Sequence, residues 1–144
     1  MIEVFADAFY YIALLNPTDR FHTAAIQVTQ DLRQPLVTTA WILMEVADAL
    51  CAPAVRQRTH RFLQRVITDP NTFLIADHVP WFTRGMQLYG NRRDKSWSLT
   101  DCISFSVMTE RGVTDALTGD HHFVQAGLRA LLLSPGSSES DGQR

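Results

Sequence analysis

Four acidic residues of this chain could together bind a metal ion: Asp7, Glu45, Asp101 and Asp120. No lysine or arginine is adjacent in sequence to any of them. Carboxylates that converge repel one another and raise some of their pKa values, unless a cation lies between them. Ligand sets made only of oxygen favour a hard divalent ion such as Mg²⁺ or Mn²⁺. Such an ion can activate water and stabilise charge on a phosphodiester oxygen, so no nucleophilic side chain is needed.

Three of these acids also have a purely structural explanation. Asp7, Asp101 and Asp120 stand at or near predicted helix starts, where acids are favoured as caps and by the helix dipole. Ser98 and Asp101 even have the spacing of a capping box. Taken singly, each of the three is therefore explained by helix capping.

Glu45 is harder to explain in this way, because apolar residues surround it in a predicted helix. Burying a lone carboxylate costs on the order of several kcal/mol unless it is paired. The alternative is a narrow solvated stripe that Glu45 shares with Asp48, three residues further on. A buried Glu45 would need a charge partner, which a cation shared with the three other acids would supply.

The elements that must position these acids alternate along the whole chain. Predicted strands cover residues 1–7, 36–38, 72–76, 114–118 and 129–133, and predicted helices cover 8–15, 18–33, 39–51, 53–68, 79–89, 98–111 and 120–126. This order predicts an α/β fold, with a short parallel sheet of about four to five strands flanked by helices on both faces. In such sheets, binding sites form outside the carboxyl ends of the strands, near the topological switch point.

Length and composition limit the number of domains, the means of binding nucleic acid and the expected compartment. The 144 residues suffice for one domain, expected over 1–133, and residues 134–144 carry no large apolar side chain, which predicts a disordered tail. A net charge of −2 excludes a global positive field, so any nucleic-acid role needs a local site. Cys51 and Cys102 have no metal-ligand spacing, which predicts two buried thiols in a reducing compartment. No signal peptide or membrane span is apparent, so we expect a cytoplasmic protein.

Four segments in order resemble the PIN-domain ribonucleases, in particular the VapC-type toxins of bacterial toxin–antitoxin pairs. The segments are a short strand ending in Asp7 and followed by AFYYIALLNPTDRFH, the helix TTAWILMEVADAL with Glu45, DKSWSLTDCISF with Asp101, and ALTGDHHFVQAG with Asp120. The resemblance spans residues 2–133. It implies a single PIN-like domain in which these four acids are catalytic and bind Mg²⁺ or Mn²⁺, and in which an activated water cleaves RNA.

The resemblance also bears on residues around these acids. Thr118 matches a position that often carries a hydroxyl able to support the site, and Asp94 is a candidate outer carboxylate. The family frequently has Thr or Ser directly after the first Asp, whereas this chain has Ala8. A hydroxyl that would orient the carboxylate of Asp7 is therefore missing at that position.

Two further groups, one of basic residues and one of histidines, lie close in sequence to the candidate acids. Arg92, Arg93 and Lys95 precede the Asp101 helix in a predicted polar loop, where they could contact the phosphates of a substrate RNA. His121 and His122 follow Asp120, but Mg²⁺ prefers oxygen ligands. We therefore predict an exposed histidine pair in a first helical turn.

The resemblance implies partners as well as a reaction: an RNA substrate, a cognate antitoxin that blocks the acidic pocket, and a second copy in a homodimer. Two other functions remain open. A degenerate PIN-like domain would bind RNA or protein without cutting. A phosphoacceptor receiver domain would need paired acids after its first strand and a lysine near its last, whereas Asp7 stands alone and Lys95 lies in a loop.

Overall fold

Strands and helices alternate through the computed structural model of the chain, which describes residues 2–76 and 79–133. The strands are β1 (Val4–Ala6), β2 (Leu36–Thr39), β3 (Thr72–Ile75), β4 (Asp115–Leu117) and β5 (Arg129–Ala130). The helices are α1 (Ala8–Leu15), α2 (His22–Asp31), α3 (Ala40–Ala49), α4 (Pro53–Thr68), α5 (Val79–Asn91), α6 (Leu99–Arg111) and α7 (His121–Gln125). The predicted tail, 134–144, lies outside the described residues.

The five strands form one parallel sheet in the order β3-β2-β1-β4-β5. The central strand, β1, is buried along its whole length: Phe5 lies opposite Val37 of β2 and Ala116 of β4, and Ala6 lies opposite Leu117. The strand order reverses between β1 and β4, so the crevice outside their carboxyl ends is the expected place for a site. The predicted α/β fold with a short parallel sheet is confirmed.

Aromatic side chains fix α6 and α7 against the sheet. The rings of Phe105 and Phe123 meet edge to face with centroids 4.9 Å apart, and the ring of Phe123 lies 6.3 Å from that of Phe5 on β1. Trp97 extends this cluster, since its ring lies 5.0 Å from that of Phe105. This packing places the N-terminal turns of both helices beside the carboxyl end of β1.

The second helix is shorter than predicted, because side chains compete for its first amides. The prediction was 18–33, whereas the helix spans His22–Asp31. The Asn16 carboxamide oxygen accepts from the backbone N–H of Thr18, and the Asp19 carboxylate accepts from that of Phe21. Such local bonds favour turns over a helix.

The prediction of two buried thiols is right for Cys102 and wrong for Cys51, which is exposed. Cys102 lies in the first turn of α6, whereas Cys51 follows the end of α3, beyond the helix's buried face. Among the described residues, no helix combines the length and apolar character needed to cross a membrane.

Close packing of α5 on α6 depends on Gly85. A Cβ there would lie 2.4 Å from the Ile103 side chain and 3.1 Å from its backbone. We therefore expect Gly85→Ala to lower the free energy of unfolding by about 1–3 kcal/mol, since overpacking outweighs the helix propensity gained. Denaturant titration would measure this. Gly90→Ala in the same helix is the matched control, because nothing lies within 4 Å of a Cβ there, and it should leave stability unchanged or slightly raised. Equal stabilities for the two variants would contradict the packing argument.

Candidate active site

Asp7 lies at the carboxyl end of the central strand, with 5% of its surface exposed. It occupies the N-cap position of α1, yet its side chain makes no capping hydrogen bond. Instead, the Thr118 hydroxyl donates a hydrogen bond to Asp7 Oδ2 over 2.7 Å. Helix capping therefore does not explain this carboxylate. The hydroxyl that Ala8 cannot provide comes from another strand end.

Thr118 joins the ends of β1 and β4. Besides donating to Asp7, its Oγ1 accepts a hydrogen bond from the backbone N–H of Asp120 over 3.1 Å. Gly119 between them has no room for a side chain, because a Cβ would lie 2.6 Å from the ring of Phe9. Asp120 itself caps α7, accepting from the backbone N–H of His122 over 2.9 Å. The Thr-Gly-Asp segment thus holds Asp120 next to the crevice where Asp7 lies.

Asp101 forms the capping box that its spacing predicts. Its N–H donates to the Ser98 hydroxyl over 2.9 Å, and its Oδ2 accepts from the Ser98 N–H over 3.1 Å. The same Oδ2 lies 3.2 Å from His122 Nδ1 on α7. Capping is therefore a correct but incomplete explanation, since this carboxylate also reaches across to a neighbouring helix.

Glu45 is half-buried on α3, whereas Asp48 is exposed. Burial raises the pKa of Glu45, and repulsion from Asp101 raises it further, while the polar side chain of Thr100 acts in the opposite direction. The solvated stripe therefore does not describe Glu45, because this side chain interacts with α6 while Asp48 remains in solvent.

Asp7, Glu45, Asp101 and Asp120 form one group, the acidic cluster. Burial raises the pKa of Asp7 to about 8, and repulsion from the other three raises it too, against the lowering effect of the Thr118 hydrogen bond. Burial also raises the pKa of Asp101, with Asp120 adding to the effect. Four acids far apart in sequence are therefore close enough to interact. Among the described residues, no lysine or arginine forms an ion pair with them.

The prediction of an exposed histidine pair is wrong for His122. Its side chain is only 15% exposed, and its Nδ1 lies 3.2 Å from Asp101 Oδ2 and 3.4 Å from Asp120 Oδ1. His121 is more exposed and lies 3.8 Å from Asp120. Asp120 and the two histidines could each offer a ligand atom within 4.8 Å of the others. The spacing from Asp120 could have predicted this contact, since a residue two places after an N-cap lies beside the capping carboxylate.

Asp94, the candidate outer carboxylate, is not brought into the acidic cluster. It is exposed and pairs with Arg92, whose Nε lies 3.1 Å from its Oδ1, and with Lys95 at 3.5 Å. The hydrogen bond from Arg92 lowers the pKa of Asp94 to about 2. Its partners are thus the basic residues of its own loop, between α5 and α6.

Comparison with known proteins supports the fold. No protein-family model matches the chain, and no curated protein sequence matches it. Among solved structures, it is similar to Mycobacterium tuberculosis VapC20, a toxin that cleaves the sarcin–ricin loop. The two share 19% sequence identity over 87% of this chain and 95% of that chain, with a TM-score of 0.80. The chain therefore has the fold of that toxin, in agreement with the resemblance of its sequence segments.

Proposed function

We propose that this chain is a metal-dependent endoribonuclease whose active site is the acidic cluster. One observation carries the proposal. Asp7 is buried at the carboxyl end of the central strand, where three further carboxylates repel its charged form, and no lysine or arginine among the described residues pairs with them. Buried charges of one sign persist in proteins when a cation compensates them. The fold shared with a ribonuclease toxin supports the same reaction class.

The donor set fits a hard divalent cation. All four members of the acidic cluster offer carboxylate oxygens, which suit Mg²⁺ or Mn²⁺, ions that keep several waters. When bound, such an ion polarises a water molecule and offsets the negative charge of the phosphodiester. Asp7, Glu45, Asp101 and Asp120 would hold it. Asp101 Oδ1 takes part in neither the capping box nor the His122 contact, so it remains available as a donor.

Other residues of the chain orient these carboxylates and favour their charged forms. The Thr118 hydroxyl fixes the rotamer of Asp7 and stabilises its charged form. His122 lies between Asp101 and Asp120 and, as a donor at Nδ1, would hold both carboxylates in place. These contacts preorganise the acids before substrate arrives, which is what precise positioning of a water and a phosphate requires.

The test is RNA cleavage by purified protein in the presence of Mn²⁺. We expect single-stranded or stem-loop RNA to be cut, the reaction to stop on chelation, and activity to return when Mn²⁺ is added back. RNA that is bound but never cut, with or without Mn²⁺, would contradict the proposal and favour the degenerate, RNA-binding alternative.

The Thr118 hydroxyl should strengthen the binding of the metal. Thr118→Val removes the donor to Asp7 and the acceptor for the Asp120 N–H, so we expect Mn²⁺ to bind about 10-fold more weakly. Thr118→Ser keeps the hydroxyl and should bind Mn²⁺ like the parent. Calorimetric titration at alkaline pH measures both. Equal weakening in the two variants would show that the methyl group, and not the hydroxyl, is what matters.

The biological setting follows only from the resemblance. We propose that the protein is the toxin of a toxin–antitoxin pair, that an antitoxin blocks the acidic cluster, and that the toxin acts as a homodimer in the cytoplasm. Co-expression with the product of a short neighbouring reading frame would test the pairing, since the antitoxin should copurify and suppress cleavage.

A further inference from the structure

We propose that a cavity beside the acidic cluster is a nucleotide-binding subsite, which holds one phosphate and one base of the RNA strand; this rests on the proposed ribonuclease function. The cavity has a volume of about 530 Å³, within the range of small-molecule sites. We call it the basic pocket, and its lining includes Tyr89, Arg92, Arg93, Lys95, Trp97 and Cys102.

The basic side chains that line the basic pocket favour an anionic ligand. Arg92, Arg93 and Lys95 line it, and Asp94, which pairs with Arg92 and Lys95, carries one negative charge and so offsets only one of these three cations. Among the described residues, Arg93 has no ion-pair partner, so it can contact a phosphate without breaking an existing bond. In a chain of net charge −2, this local excess of positive charge is what RNA binding requires.

Flat groups in the pocket suit a nucleobase. The guanidinium of Arg92 lies 4.8 Å from the centroid of the Trp97 ring and forms two hydrogen bonds with Asp94, of 3.1 and 3.2 Å. These contacts hold its plane in one orientation before ligand binds. Tyr89 offers a second ring, with 57% of its surface exposed. Unpaired bases stack on both arginine planes and aromatic rings.

Two elements, α6 and α7, connect the lining of the pocket to the acidic cluster. Cys102, which lines the pocket, directly follows Asp101 in the first turn of α6. The Trp97 indole N–H donates to Gln125 of α7 over 3.0 Å, and α7 begins next to Asp120. A strand whose scissile phosphate lies at the acidic cluster can therefore place a neighbouring nucleotide in the basic pocket.

The experiment measures binding of a fluorescent RNA oligonucleotide to the Asp7→Asn protein without metal, so that no RNA is cut. Adding Arg93→Gln and Lys95→Gln should weaken binding about 10-fold and reduce the slope of log affinity against log salt by about 1–2. Adding Tyr89→Leu should weaken binding about 5-fold or more with the slope unchanged, because stacking carries no counterion release.

Arg61→Gln is the matched control, because Arg61 is an exposed arginine on α4 that does not line the pocket. It should bind RNA like the Asp7→Asn parent. An unchanged affinity in the pocket variants, or an equal loss in Arg61→Gln, would overturn the subsite. Since binding is measured on an inactive protein, the two claims separate. If the wild type cleaves RNA but the pocket variants bind RNA as well as the parent, only the subsite is rejected. If the pocket variants bind RNA more weakly but the wild type cleaves none, only the ribonuclease function is rejected.

Discussion

Asp7→Asn should abolish RNA cleavage and, in the same protein, raise the stability of the metal-free fold at alkaline pH. Loss of a ligand at the centre of the acidic cluster should lower the cleavage rate by more than about 100-fold, beyond the loss expected for a residue that only orients a ligand. Asparagine keeps an oxygen that can accept the Thr118 hydrogen bond but carries no charge. The substitution thus removes the function while it relieves repulsion from three neighbouring acids.

The sign of the stability effect follows from the raised pKa of Asp7. The folded protein holds this proton up to about pH 8, whereas the unfolded chain releases it near 3.8, the ordinary pKa of an aspartate. The contribution of Asp7 to stability is therefore fully present below the unfolded pKa and is lost as pH rises towards the folded pKa. We expect Asp7→Asn to raise Tm by about 5 °C or more near pH 9, and to have little effect near pH 4.

Asp31→Asn is the matched control, because Asp31 is an exposed aspartate at the end of α2. It should change neither cleavage nor the pH dependence of Tm. Thermal melts of the metal-free proteins across this pH range, with cleavage assays on the same preparations, provide both readouts. An Asp7→Asn protein that still cuts RNA, or that is destabilised at alkaline pH, would contradict the account of the acidic cluster.

The second large effect concerns the pH dependence of metal binding. A cation must displace the proton of Asp7, whose pKa of about 8 lies far above that of an ordinary carboxyl. The affinity for Mn²⁺ should therefore rise at least about tenfold per pH unit between pH 6 and 8 and level off above pH 8. The pKa values of Glu45 and Asp101 are raised as well, so the rise should steepen at lower pH.

Calorimetric titration with Mn²⁺ at several pH values measures this rise, and proton uptake by the buffer reports the number of protons displaced. Thr118→Val should shift the levelling-off to higher pH, because the Thr118 hydrogen bond lowers the pKa of Asp7. An affinity that stays constant from pH 6 to 9 would mean that Asp7 is already ionised, or that it does not bind the metal.

Much of the fold could be predicted because apolar runs and helix breakers mark its elements locally. The bounds of α1 and α4 agree with the prediction, since Asn16-Pro17 and Pro53 punctuate the chain there. The start of α2 was missed because Asn16 and Asp19 make side-chain bonds to backbone amides that periodicity does not reveal. The final strand is only two residues long, Arg129–Ala130, since its pairing with β4 and not its composition sets its length.

The acidic cluster could be anticipated because parallel strands bring their carboxyl ends to one edge, which makes the positions of Asp7 and Asp120 predictable. The contacts between elements could not be anticipated from the local sequence. The resemblance indicated Thr118 as a supporting hydroxyl, but nothing in the local sequence shows that it bonds to Asp7, or that His122 reaches back to Asp101. Asp94 was a candidate outer carboxylate from the resemblance, whereas its actual partners, Arg92 and Lys95, are its neighbours in the loop.

The most direct test of a shared cation site is anomalous diffraction from crystals of the protein grown with Mn²⁺. The account predicts a peak coordinated by oxygens of Asp7 and Asp101, with Glu45 and Asp120 in direct or water-mediated contact, and no peak there in Asp7→Asn crystals. A wild-type map with no peak among these four carboxylates at saturating Mn²⁺ would contradict it.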